Sequence, residues 1–327
     1  MAGFKELTPT KRLQLFAGRS NLPLARDIAS HLGVELGQAN LSEFADGEIH
    51  CRFGESIRGA DVFIIQTHCR PVNESIMEHL IMIDAAKRAS AKRITAVCPY
   101  YGYSRQDRKS SGREPITAKL VADMLSTAGV DRMVSVDLHS GQIQGFFDVP
   151  VDHLTALPIL TEYIQANFEE RVVIVSPDAG RVKLTERFVR HLNADLAIVH
   201  KRRTAGAAIE VTALDVVGNV EGRTCILVDD QISTAGTMCA AADLLVQRGA
   251  AEVHAMATHG IFAEPAIDRL KNSVISRVVV TDTLPIGDDS LIDKIEVLSV
   301  AGIIADALDA VFEDESVSEI FGGENQA

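Results

Sequence analysis

The 327-residue chain lacks the features that mark several large function classes. Positive charge is in deficit, with 32 Lys and Arg against 45 Asp and Glu, a net charge of -13 and a pI near 5.2. That balance argues against non-specific binding to nucleic acid or to an anionic membrane, because both need a basic face. No apolar run approaches the roughly eighteen residues of a membrane span, and the opening Met-Ala-Gly-Phe-Lys-Glu has no apolar signal core. A soluble, cytoplasmic protein is therefore expected. The five cysteines, Cys51, Cys69, Cys98, Cys225 and Cys239, form no C-x-x-C pair and are odd in number, so no disulfide framework is expected. Neither a G-x-x-x-x-G-K-[ST] element nor a strand-coupled G-x-G-x-x-G occurs. Any nucleotide site must be built otherwise.

What is present is an α/β rhythm. Strand patterns at Leu13 to Gly18, Val62 to Thr67, Ile94 to Pro99 and Val134 to Leu138 alternate with helical patterns at roughly 30-residue intervals. The length suits two domains, and the pattern repeats at a coarser scale. Ala17-Gly18-Arg19 opens a helix ending near His31-Leu32, and Ala179-Gly180-Arg181 opens one ending at His191-Leu192, about 160 residues on. Phe63-Ile-Ile-Gln-Thr falls opposite Ile226-Leu-Val-Asp-Asp. Two copies of one α/β domain are expected, with a seam near 150 to 156; the final Gly322-Gly-Glu-Asn-Gln-Ala is expected to fray.

The most informative segment is Cys225-Ile-Leu-Val-Asp229-Asp230-Gln-Ile-Ser233-Thr234-Ala235-Gly236-Thr237. It reads as a buried strand ending in paired carboxylates and running through a small, hydroxyl-rich turn into a helix. Backbone N–H groups of such a turn, its hydroxyls and the positive end of the helix dipole can cradle a phosphate. Carboxylates beside that cradle must grip hydroxyls or Mg²⁺, so a phosphorylated polyol is the expected ligand. The alternative is an ordinary strand turn with a side-chain cap. In the first copy the corresponding Gln66-Thr-His-Cys-Arg-Pro-Val-Asn has lost the pattern.

Four other segments carry candidate chemistry. Phe44-Ala-Asp46-Gly47-Glu48 offers an aromatic ring for a base and carboxylates for amino or hydroxyl groups, though D-G-E is also a common turn. Arg105-Gln106-Asp107-Arg108-Lys109, after a strand end bearing three tyrosines, can neutralise a polyphosphate or be a solvated charge run. His200-Lys201-Arg202-Arg203 followed by Thr-Ala-Gly-Ala-Ala suggests a movable loop that delivers cations. Val136-Asp137-Leu138-His139 and Ser176-Pro-Asp178 present polar residues at strand ends; Asp178 is the natural Mg²⁺ ligand and His139 a less certain one.

Taken in order, these segments resemble ribose-phosphate pyrophosphokinases from about Leu13 to Phe321. The resemblance implies α/β architecture with two tandem phosphoribosyltransferase-type domains, each a mainly parallel sheet flanked by helices, related by internal duplication. It implies an N-terminal domain at 12–153 on the ATP side, a C-terminal domain at 154–300 on the ribose 5-phosphate side, and a helix and tail at 301–327 packing on the N-terminal domain. The implied reaction moves the diphosphoryl group of ATP to the 1-hydroxyl of ribose 5-phosphate and releases AMP. Phe44, Asp46, Gly47, Glu48, Arg105 and Gln106 fall to the ATP site, and Lys201 and Arg203 to the catalytic loop. Asp229, Asp230, Ser233, Thr234, Ala235, Gly236 and Thr237 fall to the ribose 5-phosphate site, and His139 and Asp178 to Mg²⁺. A homohexamer in which Phe44 to Glu48 reaches a neighbour's ATP is also implied, with phosphate and ADP as effectors.

Three positions depart from the family pattern. Ser233 stands where an acid is usual, and Arg181 where a glycine usually follows Ala-Gly, adding a charge that either strengthens phosphate binding or obstructs it. The loop after Arg203 lacks the common prolines. Ser316-Val-Ser318 resembles part of the phosphate effector site. Two rivals stand beside this reading: a phosphoribosyltransferase, which has no use for an ATP site, and a non-catalytic regulatory relative.

Overall fold

The structure, a computed structural model, describes residues 11–168, 172–201, 213–287, 290 and 292–321. They group into two compact units. The first holds the described residues of Met1–Ser135, Ser140–Leu154 and Ala301–Ala327; the second holds Val136–His139 and those of Thr155–Val300.

The first unit comprises β1 (Leu13–Ala17), α1 (Leu22–His31), β2 (Ala39–Glu43), β3 (Ile49–Phe53), β4 (Asp61–Ile65), α2 (Val72–Arg88), β5 (Arg93–Cys98), α3 (Thr117–Ala128), β6 (Arg132–Val136) and β7 (Val151–Leu154). Its sheet runs in the order β1-β4-β5-β6-β7, with β2 and β3 paired separately as an antiparallel hairpin. The second unit comprises α4 (Leu157–Asn167), β8 (Val173–Ser176), α5 (Val182–Leu192), β9 (Asp195–Lys201), β10 (Ala213–Val217), β11 (Thr224–Ile232), α6 (Gly236–Gln247), β12 (Glu252–Gly260), α7 (Ala266–Asn272), β13 (Arg277–Thr281) and β14 (Ile295–Leu298). Its sheet runs β10-β9-β8-β11-β12-β13-β14. Helices α8 (Ala301–Glu313) and α9 (Val317–Ile320) return to the first unit, α8 packing on α1.

The duplication is visible in this order. Take β8, β11, β12, β13 and β14 as counterparts of β1, β4, β5, β6 and β7, and both sheets repeat one arrangement. Each copy inserts an antiparallel hairpin between its first and second core strands. In the second unit that hairpin, β9 with β10, joins the main sheet; in the first, one parallel bridge from Leu15 to Leu36 is what links this region to β1.

Sequence pattern explains the elements locally. β4 and β13 are nearly continuous buried runs, as a parallel strand covered by helices on both faces requires. α6 buries Met238, Ala241, Ala242, Leu244 and Leu245 at helical spacing, against a core that includes Val175, Leu227 and Ala255. Helix α3 stops at Gly129, whose left-handed φ of 116° lets its N–H reach the carbonyls of Leu125 and Ser126. Buried Asp61 at the start of β4 is matched by a bidentate Arg93, both contacts at 2.8 Å, and Arg93 also reaches Asp314 at the end of α8. Among the described residues no helix is long and apolar enough to cross a membrane.

One expectation needs correction. The acid pair does not end its strand: β11 continues past Asp230 through Gln231 to Ile232. The long neighbour β12 supplies backbone partners there, pairing Gln231 with His259 and Ile232 with Gly260, and Ile232 is itself buried. On the other side β8 pairs only as far as Leu227. The carboxylates therefore lie where one flank of the strand is open and the other still paired.

The first unit also buries a polar pair with a measurable consequence. His68 Nε2 lies 3.1 Å from His79 Nδ1 in a fully buried setting. Burial pushes the His79 imidazole down to about 4. A folded pKa below the unfolded one means the unfolded chain binds the proton first, so this stability is complete above about pH 6.5 and lost as pH falls through 4. Denaturant unfolding between pH 7 and 4 should show about 3 kcal/mol more loss for the unsubstituted chain than for His79→Gln. Equal slopes for the two proteins would contradict a neutral, buried His79.

Candidate functional site

The second unit concentrates its chemistry at the open flank of β11. Arg181, in the 3-10 turn Ala179–Arg181 ahead of α5, reaches across to the acid pair: Nε is 2.8 Å from Asp229 Oδ1, and Nη2 is 3.0 Å from Asp230 Oδ1. The second contact is off-line. Buried Asp230 Oδ1 has the guanidinium charge nearby yet no directed hydrogen bond. Asp230 Oδ2 lies 2.7 Å from His139 Nδ1; Arg181 Nη2 lies 2.9 Å from His139 Nδ1 and 3.2 Å from Nε2, Nη1 donates to the His139 carbonyl at 3.3 Å, and Gln231 Nε2 lies 3.3 Å from Nδ1. An Nη2 atom at nearly equal distances from both ring nitrogens lies over the imidazole face and not on an in-plane lone pair, so the guanidinium stacks on His139 while Asp230 Oδ2 approaches Nδ1.

The two carboxyls titrate in opposite directions. Burial and the neighbouring Asp230 raise Asp229, with Arg181 opposing. Burial acts to raise Asp230 too, but the hydrogen bond from His139 and the Arg181 charge outweigh it and hold Asp230 low.

The turn after the pair has the character of an anion cradle. Ala235, buried, sits at φ 57°, ψ 1°, a left-handed conformation that redirects the chain into α6. No described side chain caps α6, so its first N–H groups lack an acceptor within the helix. Half-buried Ser233 and exposed Thr234 lie before it, with Gly236 and Thr237 opening the helix. Arg269 on α7 donates to the Thr234 carbonyl at 2.9 Å, and a Cβ on Gly236 would come within 3.2 Å of that guanidinium. The turn is thus held from behind, where only glycine leaves ordinary clearance.

His139 is positioned by a residue to which the sequence pattern assigns no role. Asp137 has φ 36° and is buried; its Oδ2 accepts from Ala156 N at 2.9 Å and from Thr258 Oγ1 at 2.6 Å. Its carbonyl lies 3.0 Å from Nε2 of buried His259. The available signal was the period of two that puts Asp137 beside His139 in Val-Asp-Leu-His. Arg269, 35 residues from its partner, left no local signal at all.

The other expected residues lie elsewhere. Phe44, Asp46, Gly47 and Glu48 form the tip of the β2–β3 hairpin in the first unit: Gly47 has φ 91°, Asp46 Oδ1 accepts from Glu48 N at 3.2 Å, and Phe44 is 57% exposed. An aromatic ring that open is available to stack on a ligand. Arg105 and Gln106 lie exposed in the loop after β5, with Gln106 held by Thr117 Oγ1 at 2.5 Å. Lys201 closes β9, but its side chain, together with Arg203, lies outside the described residues.

Comparison with known proteins places this geometry. Residues 13–129 match the model for the N-terminal domain of ribose phosphate pyrophosphokinase, and residues 205–322 match that of the phosphoribosyl synthetase-associated domain. The ribose-phosphate pyrophosphokinase of Streptomyces avermitilis is 54% identical over 98% of this chain and 99% of its own length. The chain belongs to the ribose-phosphate pyrophosphokinase family. A Bifidobacterium longum ribose-phosphate pyrophosphokinase is 51% identical over 96% of this chain and 93% of its own. The crystal structure of phosphoribosylpyrophosphate synthetase from Mycobacterium smegmatis superposes with a TM-score of 0.88 at 50% identity, covering 93% of this chain and all of that one. The chain is an enzyme of this kind, a transferase of nucleotide biosynthesis with two phosphoribosyltransferase-type domains.

Enzymes of this family are of a kind that generally uses a metal ion. As the chain stands, a metal ion does not fit between His139 and the acid pair, because the Arg181 guanidinium already lies against the His139 ring and both carboxylates. Asp178 spends Oδ1 on capping Gly180 N at 2.8 Å and has a second oxygen to offer. Among the described residues, the cluster with metal-type donors in reach of one another is His68, His79 and Cys98. Its chemistry is wrong for a cation. Gly102 N–H points at His68 Nδ1 at 3.2 Å, so the proton sits on Nε2, the atom that faces the cluster.

Two substitutions test this construction. Asp137→Ala should cost about 2–4 kcal/mol in urea unfolding, since Ala156 N–H and the Thr258 hydroxyl lose a buried acceptor, and Asp137→Asn should recover more than about half. Ala235→Gly should leave stability equal or raise it by up to about 1 kcal/mol in the same measurement, because a left-handed residue gives up its Cβ penalty.

Proposed function

We propose that the chain transfers the diphosphoryl group of ATP to the 1-hydroxyl of ribose 5-phosphate, giving 5-phospho-ribose 1-diphosphate and AMP, for nucleotide, His and Trp biosynthesis. The observation that carries this reading is the uncapped α6 behind a hydroxyl-lined, left-handed turn, next to a carboxylate pair, in a chain of this family. Ser233, Thr234 and the N–H groups opening α6 at Ala235, Gly236 and Thr237 hold the 5-phosphate. Asp229 and Asp230 accept from the ring hydroxyls and orient the 1-hydroxyl for in-line attack on the β-phosphorus.

The exposed Phe44 ring, with Asp46, Gly47 and Glu48, binds the adenosine end of ATP, and Arg105 and Gln106 serve its phosphates. Lys201 and Arg203 supply positive charge for the equatorial and α-to-β bridging oxygens, the kind of charge stabilisation on which phosphoryl transfer depends. Mg²⁺ would be carried on the ATP phosphates with Asp178 as its carboxylate, neutralising phosphate charge. Self-association as a homohexamer, a hairpin tip reaching a neighbour's ATP, phosphate and ADP as effectors, and a cytoplasmic location complete the reading.

Purified protein with Mg²⁺, ATP and ribose 5-phosphate should form AMP and the diphosphorylated sugar in equal amounts, resolved by chromatography from ADP. ADP as the nucleotide product would show transfer of a single phosphoryl group instead. Lys201→Ala should lower turnover about a hundred- to a thousandfold; a variant keeping more than about a third of it would remove that residue from the mechanism.

A further inference from the structure

Arg181 stands where a cation would. Its guanidinium touches one oxygen from each of two adjacent carboxylates and lies against the ring of His139, whose Nδ1 is held by Asp230. A carboxylate–histidine pair of that form is how proteins orient an imidazole toward a metal ion. The side chain is four-fifths buried, at 20% exposure, so a neutral sugar hydroxyl that displaced it would leave two buried carboxylates with no countercharge. A ligand that comes to this pair therefore gains by leaving the guanidinium in place. The contacts described use Asp229 Oδ1 and both oxygens of Asp230; Asp229 Oδ2 takes no part in them.

The first copy of the fold makes the same move. Arg19 follows Ala17-Gly18 as Arg181 follows Ala179-Gly180. Its guanidinium binds Glu78, a carboxylate only 3% exposed, and its backbone N–H donates to the same residue at 2.7 Å. Arg19 also pairs with Glu43 at 2.8 Å, and that half lacks the hydroxyl-rich turn of the second. In both copies the residue after Ala-Gly reaches a buried acid, on helix α2 in the first and within strand β11 in the second.

Resting on the ribose 5-phosphate reading above, we propose that Arg181 is a built-in cation that replaces a divalent metal ion at the sugar end of the site. It neutralises Asp229 and Asp230 and covers the ring of His139, so the sugar phosphate binds there without free Mg²⁺. A guanidinium supplies charge and directed donors but not the Lewis acidity of a metal, so Arg181 acts on binding and orientation of the sugar and leaves the phosphate chemistry to other groups.

The test is calorimetric titration of ribose 5-phosphate into the intact chain, Arg181→Gly and Arg181→Lys, each in EDTA and in Mg²⁺, with Mn²⁺ bound per ligand-free chain counted by electron paramagnetic resonance. The unsubstituted chain should bind the sugar phosphate in EDTA within about threefold of its affinity in Mg²⁺, while Arg181→Gly should weaken about tenfold or more in EDTA and recover with Mg²⁺. Its Mn²⁺ count should rise by one. Arg181→Lys, which keeps the charge and loses the fork, should weaken severalfold in EDTA with an unchanged Mn²⁺ count, and carries the test should the glycine variant not fold. Loss of binding by the unsubstituted chain in EDTA, equal or tighter binding by Arg181→Gly in EDTA, or an unchanged Mn²⁺ count in that variant each overturns the proposal. If no form binds ribose 5-phosphate in either buffer, the functional reading falls; the Mn²⁺ count then still decides the place of Arg181, a rise supporting it and no rise overturning it.

Discussion

Two neighbouring carboxylates in a buried parallel strand cannot be left without a positive charge, and much of the second unit is arranged around meeting that need. The cost of burying an uncompensated carboxylate is several kcal/mol, comparable with the whole stability of many domains. Here the answer is Arg181, brought to the pair by a short turn between β8 and α5. That one contact draws both carboxyls toward the charged form, against the burial that raises them, and lays the guanidinium over the His139 ring. His139 in turn depends on Asp137, whose left-handed backbone is held by Ala156, Thr258 and His259.

The duplication shows how one scaffold carries two different strand-to-helix turns. Both sheets share a strand order, and both place an arginine after Ala-Gly on a buried carboxylate. They differ at the strand-to-helix turn. The second copy keeps a small, hydroxyl-rich loop into an uncapped helix, whereas the first fills the equivalent region with Gln66, bonded to Ser20, Ser75 and Glu78. Gly18 packs so close to Gln66 that a Cβ would lie 2.2 Å from its Oε1, which leaves no room for a ligand between them. Where the second copy has an open turn, the first has a packed polar core.

Much of the fold was legible in the chain. Buried parallel strands are continuous apolar runs and helices carry a regular apolar stripe, so both leave a local pattern that needs no knowledge of neighbours. The turn into α6 was legible for the same reason, since Ser233 to Thr237 are consecutive. The true end of β11 was not, because Gln231 and Ile232 are held in the strand by β12 and nothing in their own sequence requires it. Asp137 and Arg269 went unassigned because each acts through a partner distant in the sequence.

The sequence by itself determined the α/β class, the repeated domain, the ordered motifs of the family and the hydroxyl-rich turn into α6, because each of these is a property of contiguous residues. It also marked Arg181 as a departure, without a sign to the effect. Only the tertiary structure decided that the added charge turns inward onto Asp229, Asp230 and His139. The choice between a guanidinium that attracts phosphate from the surface and one that neutralises buried acids depends on distances across three separate segments of chain, and those exist only once the strands are paired.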